Sequence, residues 1–120
     1  MINNNIAKEK SAGFALRIVK LCSYLHEKNE KIMSAQILRS GTSIGANIAE
    51  STYAASKSDF INKLHIALKE ASETSFWINL LFQSKYIKEH EYKSLMNDCD
   101  ELMRLLISSI KTSKTEKRKT

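Results

Sequence analysis

No proline interrupts this 120-residue chain, and apolar residues recur along it every three or four positions. A backbone that keeps every N–H donor and carries that period favours helices, because residues at such spacing share one helical face. The last long segment shows it most plainly, with Tyr92, Leu95, Met96, Cys99, Leu102, Met103, Leu106 and Ile110 forming an almost continuous stripe. Phe14, Ile18, Leu21, Cys22 and Leu25 repeat the period earlier, as do Phe60, Leu64, Ala67, Leu68, Ala71, Ser75, Ile78 and Phe82. No segment alternates strictly with period two, so nothing argues for a sheet.

The breaks between stripes set the organisation. Residues 28–31, KNEK, are polar, and Ser34 then offers a helix N-cap. Ser56 or Ser58 can cap the next helix, with Asp59 complementing its N-terminal dipole. The expected helices cover about 8–28, 34–53, 57–85 and 89–111. Four amphipathic helices on short connections predict an all-α fold, an antiparallel up-down-up-down four-helix bundle over residues 1–110. Residues 111–120, KTSKTEKRKT, are expected to form a basic, disordered tail. No run approaches the roughly 18–20 apolar residues of a membrane span. The stretch MINNNIAKEKSAG lacks the apolar core of a secretory signal, so the expectation is a cytoplasmic protein without membrane contact.

Two of the three glycines fall within RSGTSIGANIAES, Arg39 to Ser51. A phosphate loop needs four residues between its glycines and a following lysine; here three intervene and no lysine follows. A turn remains open, since Ser-Gly punctuates many loops. Yet Ile37, Gly41, Ile44 and Ile48 keep helical spacing straight through the glycines. Helix is therefore the reading, at a cost of roughly 1 kcal/mol per glycine relative to alanine. A groove over Gly41, Gly45 and Ala49 would admit a neighbouring backbone and offset that cost.

If the second and third helices turn near Ala54–Ala55, facing residues have numbers summing to about 110. That register puts Arg39 near Glu70 or Glu73 and Asn47 near Lys63. Arg39, Ser43, Asn47, Glu50, Glu70 and Glu73 then make either an interhelical polar network or a polar site.

Catalysis finds little support. His26, His65 and His90 are isolated from one another, no Glu-x-x-His pair is present, and Cys22 and Cys99 lie far apart on apolar faces. No metal or cofactor is expected, and the chain reads as a non-enzyme. The run FWINLLF is apolar around most of its helix. Phe76, Trp77, Leu80 and Leu81 are therefore candidates for a subunit interface, with Trp77 capping the core end as the alternative.

Net charge is +6, and its placement matters more than its size. The last ten residues carry five basic side chains and one acidic, while the other 110 hold 14 basic and 12 acidic. Lys8, Lys10, Arg17 and Lys20 on the first helix, with Lys111, Lys114, Lys117, Arg118 and Lys119 in the tail, are candidate nucleic-acid contacts. A solvated charge is the alternative for each.

The run QILRSGTSIGANIAES, followed by SKSDFINKLHIALKEASETSFWINLL, resembles a bacterial family of small bundle proteins encoded in intervening sequences of 23S rRNA genes. Members are also called ribosomal-protein-like, and relatives act as accessory proteins of diversity-generating retroelements. The resemblance implies a four-helix bundle that assembles as a homopentameric ring. As partners it implies RNA or DNA, or a protein such as a reverse transcriptase. It implies no established reaction. Arg39, Ser40, Ser43, Asn47 and Glu50 match the family's central motif, whereas Ser51 and Thr52 depart from the small residues of many relatives.

Overall fold

The computed structural model describes residues 4–119, with side chains from 5 to 115. Four helices follow one another: α1 (Asn4–Glu27), α2 (Ile32–Ser51), α3 (Lys57–Gln83) and α4 (Glu89–Lys119). Among the described residues there is no strand. Cross-helix contacts give the direction of each pair. Gly41 faces Ile18 and Gly45 faces Ser11, so α2 rises as α1 descends. Arg39 meets Glu70 while Glu50 meets Lys63, and Cys99 meets Ala71 while Tyr92 stacks on Phe82. Lys10–Glu101 and Arg17–Asp98 close the ring between α1 and α4. Each pair is antiparallel.

The core runs the length of this bundle. Ile18, Leu25, Ile37, Ile44, Ile48, Leu64, Ile78, Leu81, Leu102 and Leu106 are all fully buried. Each such side chain contributes about 1.5–3 kcal/mol through removal from water. In α3 the buried stripe is Ile61, Leu64, Ala67, Ala71, Thr74, Ile78 and Leu81. It is rotated from the expected stripe: Phe60, Leu68 and Phe82 pack only partly buried against its edge.

The helix ends explain themselves chemically. Asn29 (φ 62°) and Lys85 (φ 69°) sit in the left-handed region just past α1 and α3. Glu30 N–H then reaches back to Leu25 C=O and Tyr86 N–H to Leu81 C=O, each at 2.9 Å, which satisfies carbonyls the helix leaves open. At the start of α3, Ser56 Oγ accepts from Asp59 N–H at 3.0 Å and Asp59 accepts from Ala55 N–H at 3.1 Å. Ser34 is not the cap of α2. The helix begins at Ile32, and the carboxylate of Glu30 accepts from Ser34 N–H at 3.0 Å.

The tail expected from residue 111 onward is also corrected, since α4 continues to Lys119. Ile110 and Ser113 are buried, so packing carries the helix past 111, and no Gly or Pro stops it.

Candidate nucleic-acid interface

Helix α2 is the centre of the molecule's polar chemistry, and its two glycines show how. A Cβ on Gly41 would lie 2.9 Å from Ile18 Cγ1, and one on Gly45 would lie 3.4 Å from the Ser11 backbone carbonyl oxygen. Helix α1 therefore packs directly over them. On the opposite flank, Ser40 and Thr74 hydroxyls meet at 2.8 Å, both fully buried. Thr74 also donates to Glu70 C=O at 2.7 Å. The carbonyl can only accept, so Ser40 donates to Thr74.

Outside that buried pair lies an ion-pair cluster. The Arg39 guanidinium contacts Glu70 at 3.1 Å and also contacts Glu73, whose carboxylate accepts from Trp77 Nε1–H at 3.0 Å. The hydrogen bond from Arg39 first, and then that from the Trp77 indole N–H, hold the Glu73 carboxyl below its ordinary range. The same bonds, to Glu73 first and Glu70 second, raise the guanidinium pKa. Further along, Lys63 pairs with Glu50 at 3.0 Å, which raises the lysine pKa.

Ser43 and Asn47 do not join this cross-helix network. Ser43 Oγ donates to Arg39 C=O at 2.6 Å and Asn47 Nδ2 donates to Ser43 C=O at 2.8 Å. Short polar side chains on a helix readily bond to the carbonyl four residues back, and both do so here. The partner of Lys63 is Glu50 rather than Asn47.

The apolar run on α3 divides in two. Leu81 is fully buried and belongs to the core, which removes it from the interface candidates. The reason is phase: Leu81 falls three residues after Ile78 and seven after Thr74, on the inward stripe. Phe76 is 57% exposed and Leu80 37%, with Trp77 half-buried and edge-on to Phe76 at 5.0 Å.

The basic candidates also separate. Lys10 pairs with Glu101 at 3.2 Å and Arg17 with Asp98 at 2.6 Å, so the charge of these two is offset by carboxylates of α4. Lys8 is half-buried; Lys20, Lys111 and Lys114 are exposed. Lys117, Arg118 and Lys119 lie on the last turn of α4, where side chains are outside the described residues. The sequence reading missed Arg104, which is exposed on α4. The available signal was spacing, because Arg104, Ser108 and Lys111 recur at four and three residues opposite the apolar stripe.

Both thiols are protected. Burial pushes Cys99 up to about 12 and raises Cys22, and each donates to a backbone carbonyl, Ala71 and Ser34 respectively. His26, His65 and His90 are exposed on three different helices. Among the described residues no three His, Cys, Asp or Glu side chains gather as metal ligands, and no helix is long and apolar enough to cross a membrane.

A family profile described as 23S rRNA-intervening sequence protein matches residues 3–108. The chain belongs to that family. A crystal structure of a protein of unknown function from the S23 ribosomal protein family of Bacteroides thetaiotaomicron is 56% identical to it. That similarity covers 90% of this chain and 97% of the other, with a TM-score of 0.88. No curated protein matches the chain. In this member of the 23S rRNA-intervening sequence protein family, the Arg39–Ser51 segment is the helix that both α1 and α3 pack against.

Proposed function

We propose that the chain is a non-enzymatic helical-bundle protein that binds RNA or DNA through its basic surface and works as a homo-oligomer, a pentameric ring in the cytoplasm. The observation that carries this reading is how charge is sorted. Lys10, Arg17, Arg39, Lys63 and Lys93 each have a carboxylate partner at hydrogen-bond range. Beyond Glu101, by contrast, α4 carries six basic side chains through Lys119 against one acidic. Clustered cations without local carboxylates attract the phosphate backbone, and repeating them in a ring multiplies a weak contact.

Self-association is supported by Phe76 and Leu80, which expose apolar area beside the half-buried Trp77. Aromatic anchors of this kind are enriched where subunits meet. The same edge favours a second reading, a scaffold or accessory subunit for a protein partner such as a reverse transcriptase. Light scattering combined with RNA and DNA binding at about 50 mM salt separates the two. Binding by an oligomer supports the first. An oligomer that binds neither nucleic acid leaves the scaffold, and a monomer removes the ring.

A further inference from the structure

The distal half of α4 carries a face that packing does not use. From Leu102 to Thr115 there is no acidic residue. Leu102, Leu106, Ile110 and Ser113 turn inward and are buried, while Arg104, Ser108, Lys111, Thr112 and Thr115 are exposed. Those five lie four, three, one and three residues apart, which places them on one helical face. At the α-helical rise the row is roughly 16 Å long. A hollow of about 440 Å³ runs along it, lined by Arg104, Ile107, Ser108, Lys111 and Thr112. Lys114 flanks the row and is also exposed. Among the described residues, Arg104, Lys111 and Lys114 form none of the ion pairs that engage Lys10 and Arg17 on the facing helix.

Building on the nucleic-acid reading, we propose that this face grips a double-stranded nucleic acid by its phosphate backbone. Arg104 and Lys111 present guanidinium and ammonium donors and Ser108 and Thr112 hydroxyls, the groups that bond phosphate oxygens, while Thr115 Oγ1 donates to Lys111 C=O at 3.0 Å. The row holds no aromatic ring on which successive unpaired bases could stack, and Arg104 is its single planar stacking surface, which favours a paired strand over a single one. The only aromatic residue of α4, Tyr92, is stacked on Phe82 with ring centroids 4.3 Å apart, near the opposite end of the helix. The row also lacks Asn and Gln, which read adenine edges, so beyond guanine contacts open to Arg104 and Lys111 its donors are suited to backbone phosphates. A helix about 10–12 Å across matches the roughly 12 Å major groove of B-DNA, whereas on an A-form RNA duplex the row would lie across the wide minor groove and its phosphates.

Two triple variants with the same change in net charge test the assignment. Arg104→Gln with Lys111→Gln and Lys114→Gln strips the α4 face. Lys31→Gln with Lys85→Gln and Lys88→Gln strips exposed cations from the loops at the other end. Fluorescence anisotropy against an RNA duplex, a DNA duplex and their single strands, over a salt series, reads the outcome. The α4 triple is expected to weaken duplex binding at least about 10-fold at low salt and to reduce the log–log salt slope by about three. The loop triple is expected to change the slope by less than about one. Ser108→Glu with Thr112→Glu keeps every cation and is also expected to weaken binding, which guards against misfolding of the triple. The RNA and DNA arms show which duplex is held more tightly. Equal losses from both triples, or tighter binding of single strands, overturn the assignment while leaving nucleic-acid binding in place. Failure of the unaltered chain to bind any of the four overturns both.

Discussion

Helix α1 meets its two neighbours in opposite ways. Against α2 it packs so closely that a Cβ at Gly41 would require Ile18 to shift and one at Gly45 would stand tight against Ser11 Oγ, at 3.3 Å. Against α4 it is joined at the rim by Lys10–Glu101 and Arg17–Asp98, around a hollow of about 290 Å³. Gly13 borders that hollow with nothing within 4 Å of where its Cβ would stand. One seam is specified by shape, the other by charge. A close seam requires particular small residues at particular positions, whereas an ionic seam at half-exposed side chains contributes little to stability.

The two seams should respond differently to substitution. Gly41→Val has the largest expected effect, a loss of about 2–3 kcal/mol, because branching at Cβ drives atoms into the fully buried Ile18. Denaturant titration reads it as a lower midpoint at unchanged slope. Parental stability would mean that α1 and α2 do not pack this closely.

Gly13→Ala should go the other way and stabilise by about 0.5–1 kcal/mol, since alanine is the better helix former and the space is open. Destabilisation of the assembled protein, but not of a dissociated one, would show that a neighbouring subunit fills the α1–α4 hollow.

The smallest effect is expected at the ion pairs. Glu73 has its carboxyl pKa lowered in the fold, so its contribution is present above the ordinary value of 4.5 and is lost as pH falls through the folded value. Glu73→Gln should remove that acid-side loss, by less than about 1 kcal/mol for so exposed a pair. Unfolding midpoints compared at about pH 6 and pH 3 measure it. An unchanged acid slope in the variant would break the assigned Arg39–Glu73 linkage.

Much of this contrast could be read from residue order. The four stripes mark four helices, and Ile37, Gly41, Ile44 and Ile48 carry helical period through the glycines. Phase was harder. Between Phe76 and Phe82 nearly every residue is apolar, so periodicity alone could not show that Ile78 and Leu81 turn inward while Phe76 and Leu80 face out. Ser43 and Asn47 looked able to cross to α3, but each has a nearer acceptor on its own helix. Residues 111–119 have the composition of a solvated tail, and the burial of Ser113 that extends α4 depends on tertiary packing no local pattern records.

The proposed nucleic-acid binding rests on the surplus charge at the end of α4. The measurement that tests that claim most directly is the affinity of the unaltered chain for mixed-sequence nucleic acid as salt is varied. Phosphate contacts predict a straight log–log line falling steeply with salt and nearly the same for unrelated sequences. A flat line, or no binding at about 50 mM salt, would contradict it.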